Sequence, residues 1–274
     1  MSYIFYITAV IYLVATAVYI LYLRTHRDIY SRVGLYIIYG GFVFHTLAIA
    51  VLWQEAGTIP VLNLTGSLTL FSWLTIASYL TLIRKYSMPV LGAFVMPLTI
   101  LFFAGAMFLP SKPMVKNEIF NSYLFDLHIV LAFGGNAFFA LAFVFALMYL
   151  IQEKYLKSRK PGGMYFLLPP LDVLDELNYR CLTYGFPMLT FAIMSGAIWS
   201  HETFGEYWMW KHRQIFSLVI WLLYAVLLHG RLTAGWRGRR AAKLSLIAFV
   251  ILIVSYLVIN LVLGSGHGLA GQGQ

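Results

Sequence analysis

Charge is scarce in this sequence. Of its 274 residues only 11% are Asp, Glu, Lys or Arg, while 61% are hydrophobic, a balance outside the range of soluble globular domains. A soluble fold would have to bury one apolar run of about 20 residues after another, whereas a bilayer core ~30 Å thick accounts for that length directly. Cysteine is nearly absent as well. Cys181 stands alone, so no disulfide forms within the chain and cysteine usage is silent on the redox compartment. The N-terminus lacks a positive leader: "MSYIFYITAV" continues apolar past the "ATA" at 15–17 and reads as a retained helix, not a cleaved signal. The net charge of +9 does not imply nucleic acid, because no basic cluster lies outside the loops between apolar runs.

What is present is a series of eight apolar runs, at roughly 3–23, 34–53, 67–84, 89–109, 124–151, 181–200, 214–232 and 244–264. Backbone polar groups cannot face lipid unsatisfied, so each run is read as a helix. The loops then alternate between two sides. One set (24–33, 84–88, 152–180 and 231–243) holds fifteen Lys and Arg; the other holds only Lys112, Lys116, Lys211 and Arg213. Positive charge favours the cytoplasmic side, which places the first set there and both termini outside. The expectation is an all-α integral membrane protein, a bundle of about eight transmembrane helices forming one domain over 1–274, with no internal repeat and no soluble module. Within the longest loop, "LPPLDVLDELNYR" repeats Leu171, Leu174 and Leu177 at near-helical spacing with acids opposite, which predicts a short interfacial helix on the cytoplasmic surface.

Polar side chains inside apolar helices are costly and mark functional candidates. Four of the seven histidines qualify. His45 lies within the second run and His229 toward the cytoplasmic end of the seventh. His128 is about one turn inside the outer end of the fifth, and His267 follows the eighth at the same outer level. Depth sorts them into an inner and an outer pair, although His45 and His229 differ in depth by ~10 Å. Two imidazoles can clamp one porphyrin iron from opposite faces, and "FGGNAFFALAF" from Phe133 supplies rings and small residues near His128. Each histidine equally suits an interhelical hydrogen bond. Likewise Tyr207, Trp208 and Trp210, at the outer edge of two spans, suit an interfacial belt as well as a surface for a flat ligand. His26 reads as a solvated residue of a basic loop, and His201 and His212, which border the aromatic loop and could touch a ligand there, read first as ordinary exposed residues.

The run "LPPLDVLDELNYRCLTYGFPMLTFAIMSGAIWSHETFGEYWMW", followed by "WLLYAVLLHGRLTAGWRGRRAA", resembles the haem-handling cytochrome c assembly family that includes CcsA (ResC), CcmC and HemX, with the closest likeness to the CcsA and HemX branch. Members carry an outer segment of the form W-G-x-x-W-x-W-D beneath which haem is presented. Gly205, Trp208 and Trp210 match it. Phe204 replaces the first tryptophan and keeps a flat apolar face, while Lys211 stands in place of the aspartate and reverses a charge.

The resemblance implies that His128 and His267 ligate the presented haem b and that His45 and His229 hold haem within the bilayer. It implies that Phe204, Gly205, Tyr207, Trp208 and Trp210 form the cofactor-binding segment, with Lys211 or Arg213 available to a propionate. The implied function is haem delivery and presentation for c-type cytochrome biogenesis at the cell membrane, as a component of a cytochrome c haem lyase. An apocytochrome c bearing Cys-x-x-Cys-His and a membrane subunit of the CcsB (ResB) kind are the implied partners. Two alternatives stand beside it: a HemX-like regulator of haem synthesis, which the lost aspartate favours, and a b-type electron carrier with two fixed haems.

Overall fold

The computed structural model describes residues 3–110, 118–158 and 162–263, so the expectation for His267 lies outside the described residues. Among the described residues there is no strand. The helices are α1 (Tyr3–Thr25), α2 (Asp28–Ala56), α3 (Leu64–Lys85), α4 (Leu91–Phe108), α5 (Tyr123–Ser158), α6 (Gly163–Leu167), α7 (Leu171–Phe204), α8 (His212–Thr233) and α9 (Gly238–Leu257). All but the five-residue α6 are long and apolar enough to cross a bilayer, and each overlaps one of the eight expected runs; α4 begins and ends inside the run 89–109, and α9 stops at Leu257, short of the end expected for 244–264. The chain is an integral membrane helical bundle.

Local chemistry sets the helix ends. Gly57 ends α2 in a left-handed conformation, its N–H bonded to the Trp53 carbonyl, and Asn63 opens α3 by accepting from the Gly66 N–H at 2.8 Å. Pro170 sits immediately before α7, where a missing N–H does no harm. Beyond Leu257 the last helix widens into π-type winding over Val258–Leu263.

One expectation is corrected. The segment from Leu171 is not a separate interfacial helix but the first turns of α7, which runs unbroken to Phe204. Leu174, Leu177, Asn178, Cys181 and Leu182 are buried in succession, so one packed face passes continuously from the loop region into the span. Pro187 lies inside the helix without ending it, as neighbouring helices in a membrane allow. At 1.5 Å per residue α5 and α7 are each ~50 Å long, well beyond a ~30 Å hydrocarbon layer.

Helix association in lipid depends on close packing more than on hydrophobic burial, and α5 occupies the centre. It pairs with α7 and also packs on α3 and α9, while α1 lies on α2 and α4. The α5–α7 crossing is a glycine contact: a Cβ on either Gly135 or Gly185 would stand 2.9 Å from the other's carbonyl oxygen. One turn farther, Phe139 stacks on Tyr224 of α8 at 3.6 Å between ring centroids.

The two ends of the bundle differ in chemistry. At the end carrying the Lys- and Arg-rich loops, Arg231 forms a bidentate pair with Asp175 at 2.8 and 3.1 Å. Asp175 also accepts from the Gly238 N–H, and Asn178 bonds Ala142 O and Ser245 Oγ. That network ties α5, α7, α8 and α9 together. The opposite end is aromatic.

Candidate functional site

The aromatic end is built around the seven-residue connection from α7 to α8. Gly205 has φ of 79° and donates its N–H to His201 O. This left-handed step, which favours glycine, turns the chain out of α7. Ser200 Oγ donates to Glu206 O at 2.7 Å, and His201 stacks on Tyr207 at 4.1 Å and 12°. From the other side, Gln214 Oε1 accepts from the N–H groups of Met209 and Lys211 at 3.0 and 3.3 Å. The loop is therefore pinned at both ends. Between the pins Trp210 adopts φ of 55°, a costly conformation for a bulky residue, and stands 69% exposed in edge contact with Trp208.

Beneath the loop the rings continue inward. Trp199 meets Phe120, Phe125 and Phe204 at 6.0, 5.1 and 5.7 Å. The indole N–H groups of both Trp199 and Trp208 are buried without an acceptor among the described residues. Lys211 Nζ stands 5.1 Å over the Phe204 ring, so the two departures from the motif touch each other in a cation–π pair.

His128 lies deeper, about 14 Å along α7 from Gly205 as counted from its neighbour Gly196. Its Nδ1 donates to Ala192 O at 2.7 Å. This bond fixes the proton on Nδ1 and leaves the lone pair on Nε2, which has no hydrogen-bond partner among the described residues. A backbone carbonyl behind one ring nitrogen is the arrangement that orients metal-ligating histidines. The groups present are of the kinds that could hold a haem: one imidazole lone pair, a shelf of rings and two unsatisfied N–H donors. The second expected ligand, His267, lies outside the described residues. At this same end Arg213 Nη2 donates to Asn260 Oδ1 at 3.3 Å. Nearby, a cavity of about 190 Å³ opens between α3, α5 and α9 with Arg213 on its lining. It also includes Asn136 and Tyr256, whose Oδ1 and hydroxyl are buried without partners.

The inner histidines, His45 and His229, are not brought together. His45 is fully buried, its Nδ1 accepting from Tyr12 Oη at 3.0 Å and its Nε2 donating to Thr69 O at 3.1 Å. Phe103 closes the third side at 4.8 Å. Both ring nitrogens are engaged in joining α1, α2 and α3. His229 instead stands on the exposed face of α8, a helix that packs on α7 and α9.

Sequence reading passed over Trp199, Ser200 and Gln214. Gln214 had a visible cue, a glutamine at the third position of a helix, which suits a capping box. The other two had none.

Comparison with known proteins gives these features a context. The family described as "Cytochrome C assembly protein" matches residues 61–267. The cytochrome c biogenesis protein CcsA of Guillardia theta is 30% identical over 263 residues, covering 87% of this chain and 86% of its own. That of Chlamydomonas reinhardtii is 31% identical over 234 residues, 83% of this chain and 64% of its own. That of Synechococcus sp. (strain CC9902) is 30% identical over 255 residues, 83% and 82%. The matched span runs from the connection before α3, through the seat of His128 and the tryptophan loop, as far as His267, and on that ground the chain belongs to the cytochrome c assembly family, in its CcsA branch.

Proposed function

We propose that this protein takes part in c-type cytochrome biogenesis by holding haem b at the aromatic end of the bundle and presenting it to apocytochrome c. Membership of the CcsA branch supports the general role. The observation that carries the finer reading is the Nδ1 bond of His128 to Ala192, which leaves Nε2 free to bind iron. His267 is the second ligand in this reading. Trp208 and Trp210, with Phe204 and Tyr207, cover the ring, and Gly205 sets the turn that brings them over it. Arg213 is a better propionate partner than Lys211, because Lys211 is engaged by the Phe204 face while Arg213 lines the cavity. The protein supplies position and exclusion of water; the vinyl groups of a bound haem would accept the thiols of a Cys-x-x-Cys-His segment. With the basic loops on the cytoplasmic side, the aromatic loop faces outward from the cell membrane.

The inner pair takes a different form. In the packing described, His45 gains a lone pair for iron only by releasing Tyr12, whereas His229 is already open on α8. An imidazole facing hydrocarbon is costly. His229 therefore supports docking of a second membrane subunit, of the CcsB (ResB) kind, against α8.

The test is the absorption spectrum of the purified full-length chain. Wild type is expected to carry a six-coordinate bis-histidine haem, and His128→Ala to lose that signature and regain it on addition of imidazole. A wild-type protein without haem, or a spectrum unchanged in both His128→Ala and His267→Ala, would overturn the reading.

A further inference from the structure

At the basic end, α3 and α7 stand apart over a floor made by α5. The gap between them is a groove of about 290 Å³. Leu82, Phe138, Leu177 and Cys181 make its apolar wall, and Lys85, Tyr86 and Arg180 lie at its polar end. Arg180 Nη1 donates to Tyr86 Oη at 2.6 Å, which bridges the gap, and Arg180 Nε donates to Glu176 at 2.7 Å. Lys85 Nζ lies 5.5 Å from the centre of the Tyr86 ring, and the Arg180 guanidinium lies 5.8 Å from it. Two cations thus converge on one ring. Glu176 neutralises one of them, while Lys85 is exposed and has no acidic partner among the described residues.

We propose that this groove is a binding site for an anionic phospholipid, with the phosphate at Lys85 and Arg180 and an acyl chain along Phe138, Leu82 and Cys181. Charge complementarity selects the head and the apolar wall selects the tail. A free phosphate would leave the wall unfilled, and a zwitterionic lipid would bring a second cation to a mouth that is already positive. The level is also right: the groove ends where α3 ends, among the Lys- and Arg-rich loops, and anionic headgroups concentrate in the leaflet such loops face. The site lies at the far end of the bundle from His128 and does not depend on haem binding there.

Native mass spectrometry of the full chain, incubated with equal amounts of phosphatidylglycerol and phosphatidylcholine of matched acyl length, tests the assignment. Wild type is expected to retain phosphatidylglycerol about ten-fold over phosphatidylcholine. Lys85→Gln is expected to cut that preference several-fold, while Arg239→Gln, at the same end but outside the groove, leaves it intact. Phe138→Trp, which narrows the groove, is expected to reduce retention of the lipid altogether. Equal retention of the two lipids by wild type, or a preference that survives Lys85→Gln, overturns the proposal. So does displacement of the monoanionic phosphatidylglycerol by added haem, which would make a dicarboxylate macrocycle the occupant instead of a lipid.

Discussion

At residue 196 an added methyl group would stand 2.6 Å from Nδ1 of His128. The absence of a side chain there lets the imidazole reach the Ala192 carbonyl, so Gly196→Ala should push the ring away and loosen that bond. If His128 is a haem ligand, the variant is expected to lose about ten-fold in haem affinity, the lower range for outer-shell partners of metal ligands, with unchanged helical circular dichroism. Haem titration of the detergent-purified protein measures it. The same scale shows what a sequence conceals. His128 was legible as a candidate because a histidine in an apolar run is conspicuous. Its seat was not, since Ala192 and Gly196 are more than sixty positions away and chemically unremarkable. Phe204 and Lys211 were both visible as departures from a motif, yet their contact across the loop required the fold.

Between α7 and α8 the chief polar tie is Arg231 with Asp175. The arginine side chain is 5% exposed and the aspartate 17%. Removing one member of such a pair leaves a buried charge, with a cost of about 3–5 kcal/mol. Asp175→Ala is therefore expected to lower stability by ~3 kcal/mol, read as reduced resistance to thermal unfolding in detergent. The double variant Asp175→Leu with Arg231→Met is expected to recover much of the loss, since both charges then leave together. At this level the existence and order of the spans were legible, because long apolar runs admit few other conformations in lipid. The union of 171–180 with the following span was not. Its alternation of leucines and acids fits a surface helix, and it is the burial of Leu174 and Leu177, with Asn178 bonded to Ala142 and Ser245, that shows this face turning inward.

For the molecule as a whole, the distribution of exposed groups matters most. Around His229, Leu222, Val226 and Leu232 are 49%, 57% and 71% exposed, and the docking of a second subunit proposed above would cover this face. A photoreactive residue placed at Val226 should crosslink to a ResB-type subunit when the two are produced together, and one at Val250 of α9 should not. The absence of any crosslink from Val226 would leave α8 facing lipid alone. Sidedness and partner could be argued from charge counts and resemblance, but which face of each helix is left open is a property of packing that no periodicity in these nearly uniform apolar runs reveals.

The unbroken course of α7 ties these scales to one rod. Asp175 and Asn178 anchor its lower turns, Arg180 bridges to α3, Ala192 and Gly196 seat the imidazole, and Ser200 and Phe204 brace the loop. Because each residue advances the helix by about 100°, a single inserted or deleted residue near its middle would rotate the upper stations off their partners while leaving the lower ones in place. Alignment between the two membrane surfaces is thus kept by counting along one helix, as on the marks of a ruler.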